Sequence, residues 1–227
     1  MYTLHIANKN YSSWSLRPWV MMKMAGIEFV EQLHVFSPTE SNAAAFSQFS
    51  PTAQVPCLVD GDVVVWESMA IMEYLAERHE GLWPADPIAR AFARCASSEM
   101  HAGFFALRNA CPMSVGIRMT LHKVSQPLAN NLKRLDALWG EGLKRFGGPF
   151  LAGDQFTVVD AMYCPVAFRI QTYGLELSTE ALDYAARLRA VGPMQNWYQQ
   201  GLDEPYRETD HEDEIMALGV LTADLRG

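Results

Sequence analysis

Residues 55–66 constrain the fold most. The apolar run Val55-Pro56-Cys57-Leu58-Val59 meets Asp60-Gly61, and Asp62-Val63-Val64-Val65-Trp66 returns. Asp-Gly between two such runs predicts a tight hairpin, because both turn positions favour positive φ. Upstream, Tyr2, Leu4 and Ile6 alternate with Thr3, His5 and Ala7, which is strand spacing. A polar loop, Asn8 to Ser15, follows. Leu16, Trp19, Val20, Lys23 and Met24 then recur on one helical face, and Gly26 stops the helix. Residues 29–35 read as a second strand, so the first three elements form a βαβ unit with parallel strands and a right-handed crossover. Residues 37–50 are small and polar and are expected to hold a short or irregular helix. Glu67 to His79 reads as a helix with a wide apolar face from Met69, Ile71, Met72, Tyr74 and Leu75. Residues 1–80 are therefore predicted to form an α/β domain of order βαβαββα.

Residues 81–87 (Gly-Leu-Trp-Pro-Ala-Asp-Pro) read as a linker, and residues 88–227 as an all-helical domain. Leu128, Leu132, Leu135, Trp139 and Phe146 form one stripe, ended by Gly147-Gly148-Pro149. Thr157 and Asp160 are spaced as a capping box before the apolar run Ala161 to Ile170, in which Pro165 predicts a kink. The acidic residues Asp210, Glu212, Asp213 and Glu214 read as a solvated face.

A chain of 227 residues with 49% apolar and 19% charged residues suits a soluble two-domain protein. A net charge of −8 argues against a nucleic-acid partner. No apolar run is long enough for a membrane span, and the N-terminal residues do not read as a signal peptide, so a cytoplasmic location is expected. The four cysteines, Cys57, Cys95, Cys111 and Cys164, are scattered and read as small core residues in a reducing compartment. The six histidines do not cluster either, and no metal site is predicted.

Gln54-Val55-Pro56, the hairpin, Trp66-Glu67-Ser68-Met69-Ala70-Ile71-Met72-Glu73-Tyr74-Leu75, and Gly153-Asp154 before the capping box together resemble the cytosolic glutathione S-transferases. The resemblance covers nearly the whole chain and implies a thioredoxin-like N-terminal domain followed by a helical one. Ser12-Ser13-Trp14-Ser15-Leu16-Arg17 looks most like the serine-type zeta class, the maleylacetoacetate isomerases, with Trp14 where that class carries cysteine. It implies glutathione as co-substrate, a small electrophilic second substrate and a homodimer.

A free thiol has a pKa near 8.5, so only about 3% is thiolate at pH 7. Lowering that pKa by about two units takes roughly 2.7 kcal/mol of differential stabilisation. A hydroxyl donating to the sulfur at a helix N-terminus supplies much of this. Ser12, Ser13 and Ser15 are placed for that role, or they merely cap the helix. The resemblance favours Ser12, with Ser13 second. It also implies a cis Val55-Pro56 bond that turns the Val55 backbone toward the cysteinyl part of glutathione, with Gln54 beside it. Ser68 would hold the γ-glutamyl carboxylate at a helix N-terminus, and Glu67 the ammonium. The second substrate is expected between the domains, at Trp14, His101, Phe104 and Arg108, with Met100, Phe105 and Met113 nearby. Arg108 would attract an acidic molecule. No cysteine lies in the serine loop, which disfavours thiol–disulfide exchange. Conjugation of an electrophile leads this reading; cis–trans isomerisation, peroxide reduction, dehalogenation and non-catalytic binding of glutathione or a partner are alternatives.

Overall fold

The computed structural model describes residues 1–36 and 42–227. β1 (Tyr2–Ala7) leads through the serine loop into α1 (Ser13–Met24), and β2 (Phe29–His34) follows. α2 (Asn42–Phe46) is a single short turn of helix; the rest of the expected irregular segment, residues 37–41, lies outside the described residues. β3 (Cys57–Asp60), β4 (Val63–Trp66) and α3 (Ser68–Ala76) complete the first half. The sheet runs β2-β1-β3-β4, with β1 parallel to β2 and antiparallel to β3. This is the mixed sheet of a thioredoxin-like domain.

The hairpin forms as predicted, but its turn is displaced by one residue. Asp60 pairs with Val63, so Gly61 and Asp62 make the turn, and Gly61 alone takes a positive φ, +59°. A Gly at the first turn position and an ordinary φ at the second fit a turn that needs only one left-handed residue. Val55 and Pro56 precede the strand rather than belonging to it.

The second half contains α4 (Pro87–Ala102), α5 (Phe105–Ala110), α6 (Gln126–Phe146), α7 (Val158–Tyr173), α8 (Thr179–Ala190), α9 (Gly192–Asp203) and α10 (Thr209–Met216). The Asp86 carboxylate caps α4 by accepting from the backbone N–H of Ile88 and Ala89. It is not purely helical. β5 (Ile117–Leu121) pairs antiparallel with β6 (Gly219–Asp224) as a separate two-stranded sheet. Ile117 and Met119 of β5 are buried while Arg118 and Thr120 are not, the alternation of a half-buried strand.

α7 is the central post. All but one of its residues are buried, and it packs against α1, α4 and α8. A helix that is apolar nearly all round belongs in an interior. α7 runs unbroken from Val158 to Tyr173 through Pro165. At its start Asp160, fully buried, accepts four hydrogen bonds, from Leu151 N, Thr157 N, Thr157 Oγ1 and the Tyr184 hydroxyl. Of the cysteines, Cys57, Cys111 and Cys164 are buried as expected, whereas Cys95 is exposed on α4. Among the described residues no helix is long and apolar enough to cross a membrane.

Candidate active site

The serine loop is held by the second half of the molecule. Glu204 accepts from the backbone N–H groups of Lys9 and Asn10, and the Trp197 indole donates to the Lys9 carbonyl at 2.8 Å. Gly201 allows this approach: a Cβ there would lie 2.8 Å from Val115 Cγ2 and 3.4 Å from the Asn10 nitrogen. Asn10 Oδ1 in turn accepts from Gly116 N at 3.1 Å. A loop tied down on both sides can present side chains in fixed positions.

Ser12 is the N-cap of α1, yet its side chain makes no capping bond. Its Oγ lies 2.7 Å from Ser15 Oγ, which also accepts from Ala7 N at 3.2 Å. Ser15 is fully buried and acts as a strut. Ser13 is half-buried, and its Oγ accepts from Arg169 Nη2 at 3.4 Å. The capping reading therefore does not describe Ser12.

Ser12 and Ser13 border a groove of about 720 Å³ between the two halves. Gln54, Val55, Pro56, Glu67, Ser68, Trp14, His101 and Arg108 line it too. Val55-Pro56 is cis. Glu67, the residue before α3, has φ +71°, a conformation that costs a side chain of this kind on the order of 1–3 kcal/mol. Ser68 is 1% exposed and its Oγ has no partner. A buried hydroxyl without a partner costs about 1–3 kcal/mol. Strain and an unpartnered donor, side by side at a helix N-terminus, mark a place built for something to bind.

Across the groove, His101 Nε2 is 3.6 Å from the Glu67 carboxylate, too long for a hydrogen bond. Burial lowers the His101 pKa; Glu67 pulls it back up, and Arg17 and Arg108 push it down. Trp14 gathers the cations: its ring centroid lies 3.9 Å from the Arg17 guanidinium and 5.2 Å from that of Arg108, with His101 edge-on at 5.4 Å.

Phe104 is not part of the groove. It is 5% exposed, has φ +54° and packs edge-on against Tyr163. A residue caught in the left-handed step between α4 and α5 points its ring into the core, and its neighbour Phe105, 60% exposed, lines the groove instead. Met100 is core, while Met113 borders a second cavity of about 760 Å³ beyond Ser13 and Trp14. That cavity also has Arg108, Arg169 and His211 on its wall.

Several lining residues carried no local signal. Glu208 and His211 reach the groove from α10 and the residue before it. Tyr11, beside the serines, donates from its hydroxyl to Glu212, which is clamped by Arg226. Phe36, Phe46, Thr52 and Ala53 close the other end. Among the described residues, no cluster of His, Cys, Asp or Glu is placed to hold a metal ion.

The fold and groove define a class, a thioredoxin-like domain joined to a helical one with a cleft of mixed polar and apolar lining between them. Residues 11–78 match the glutathione S-transferase N-terminal domain family, and residues 119–200 the matching C-terminal domain family. This chain belongs to the glutathione S-transferase family. It is 29% identical over 177 residues to a probable maleylacetoacetate isomerase of Caenorhabditis elegans, covering 73% of this chain and 77% of that one. It is 30% identical over 136 residues to a stringent starvation protein A homologue of Coxiella burnetii, covering 59% and 61%. In structure it resembles a glutathione transferase homologue from Burkholderia gl BGR1, solved with bound glutathione. The TM-score is 0.65, the identity 21%, and the match covers 88% of this chain and 97% of that one.

Proposed function

We propose that this chain is a glutathione transferase that activates the glutathione thiol with a serine hydroxyl at the start of α1. The observation that carries the reading is the buried, unpartnered Ser68 hydroxyl, in a residue that lines one groove together with Ser12, Ser13 and Val55. Ser68 and the first N–H groups of α3 would take the γ-glutamyl carboxylate, Glu67 the ammonium, and the Val55 backbone the cysteinyl amide. Gln54 borders the remaining, glycyl end.

The serine chemistry follows from proton placement. Ser12 Oγ donates to Ser15 Oγ, which also accepts from Ala7 N; when the thiol binds, the Ser15 proton would replace that of Ser12 between the two oxygens. The Ser12 proton then turns to the sulfur. Ser13 is the second donor, with its oxygen held by Arg169. The thiolate attacks a small electrophile bound against Trp14, His101 and Arg108.

A second reading is cis–trans isomerisation of an unsaturated acid, favoured by Arg108 and Arg169 on the wall of the second cavity. There the thiolate would add to the double bond, the new single bond would rotate, and expulsion of the thiolate would restore the double bond. Glutathione is consumed in conjugation and returned in isomerisation, so its stoichiometry separates the two. In either reading the exposed Val63, Val64 and Trp66 on the edge strand β4 suit a homodimer, which sizing chromatography tests.

The deciding experiment is a titration of bound glutathione by thiolate absorbance against pH, in wild type, Ser12→Ala and Ser13→Ala. Ser12→Ala is expected to raise the bound thiol's pKa by about one unit. If neither substitution moves it, the serine mechanism is wrong. If glutathione does not bind, the transferase reading goes with it.

A further inference from the structure

Arg17 is 1% exposed, and its Nε and Nη1 are buried without a hydrogen-bond partner. A buried guanidinium is ordinarily matched by a carboxylate or a full set of carbonyls, since an unmatched buried charge is strongly destabilising. Arg17 has neither. Two more arginines share its surroundings. Arg169, 4% exposed, donates to the Cys111 and Pro165 carbonyls and to Ser13 Oγ. Arg108 donates to the His101 carbonyl. Among the described residues none of the three is paired with a carboxylate.

The groups facing Arg17 supply no negative charge. His101 comes from α4 and Arg108 from α5; Tyr163, Cys164 and Arg169 come from α7. Burial holds the Tyr163 hydroxyl and the Cys164 thiol well above their ordinary pKa values, so both stay protonated. The nearest carboxylate on α7, Asp160, is committed to its own four donors. Among the described residues the positive charge is therefore without a countercharge.

Its position says which anion would complete it. Arg17 stands four residues after Ser13 and three after Trp14 in α1, so it lies one helical turn below both, on the same side. Its guanidinium stacks under the Trp14 ring, which forms part of the groove wall. Resting on the reading of that groove as a glutathione site, we propose that Arg17 is a positioning residue whose fixed, unpaired charge holds the bound glutathione sulfur as thiolate. It acts through the field across Trp14 and the first turn of α1 and does not touch the sulfur.

A charge left unpaired for this purpose has two signatures that a purely structural arginine would not show together. In Arg17→Met the bound thiol should titrate about one unit higher, leaving roughly tenfold less thiolate in the range where the thiol is mostly protonated. kcat/KM at pH 7 should fall in step and recover as the pH is raised past the new pKa. The ligand-free melting temperature should stay level or rise, because an unpaired buried charge has been replaced by an apolar side chain of similar length. Arg17→Lys should keep the wild-type titration. An Arg17→Met protein whose bound thiol titrates as in wild type overturns the proposal. Should Arg17→Met not fold, Arg17→Gln removes the same charge and is read in the same way. Loss of fold in both neutral variants, with Arg17→Lys intact, assigns Arg17 a structural role and also overturns it. If wild type binds no glutathione, it is the transferase reading that fails.

Discussion

Asp160 and Arg17 are both sealed from solvent, and their surroundings are opposite. Burial pushes the Asp160 carboxyl up to about 6, while four donors oppose that rise. Each carboxylate oxygen accepts two of them, so an amide cannot take its place. Asp160→Asn turns an NH₂ group toward N–H and O–H donors. The expected cost is about 3–5 kcal/mol, read as a lower midpoint in urea denaturation. An unchanged midpoint would show that the network around α7 is dispensable. At this scale the sequence was a good guide wherever a side chain works with its chain neighbours. The Thr157–Asp160 box, Ser12, Ser13, Val55 and Glu67-Ser68 could all be picked out. Tyr11 stood beside the serines, but its partners Glu212 and Arg226 come from about two hundred residues away. Arg169 and His211 belong to the same group, since nothing near them in the chain shows that they face the serine loop.

Two elements around the groove carry testable couplings. Residues 46–49 are fastened to the sheet by rings. His5 stacks on Phe49 at 4.1 Å and on His34 at 5.1 Å, and His5 Nδ1 meets His34 Nε2 at 2.8 Å. Burial, and then His34, lower the His5 pKa to about 4; burial lowers that of His34. A histidine whose pKa falls on folding stabilises the fold in its neutral form. That stabilisation is complete above the unfolded value near 6.5 and is lost as pH falls toward about 4. The melting temperature should drop across this window, and glutathione affinity with it, because Phe46 lines the groove. His34→Phe keeps the stack but removes only His34's own titration and the smaller cause of the His5 shift, so both profiles should become shallower without going flat; profiles as steep as wild type would place the titration elsewhere. On the opposite side, Arg226 ties Glu212 of α10 and Asp224 of β6 together beside Tyr11. Arg226→Ala leaves Glu212 without its cation. It should cost about 3 kcal/mol and raise KM for the electrophile, with kcat less affected. Unaltered KM would mean that α10 does not help to shape the cavity.

The whole molecule folds around one continuous apolar cluster that includes Leu4, Leu16 and Ile71 from the first half and Trp139, Val158 and Trp197 from the second. Trp19 and Trp197 meet edge-to-face at 5.1 Å across the junction, with Lys9 beside both. The two halves should therefore unfold together. Urea curves followed by tryptophan fluorescence and by helical circular dichroism should coincide, whereas two separated transitions would show that the halves are independent. The order βαβαββα and the long helices were legible because hydrophobic period and turn residues are local. The β5–β6 sheet was not, because its strands lie about a hundred residues apart and each is a run of only five or six residues. Phe104 was misplaced for a related reason: a pattern identifies a helical stretch, but not the left-handed break that turns one ring inward and the next outward. The two sealed charges also make this protein's descent readable. A lineage freed from thiol chemistry gains by discarding Arg17 for an apolar residue and loses by discarding Asp160. Among descendants of this chain, Asp160 should persist wherever the fold does, and Arg17 only where the trade is still practised.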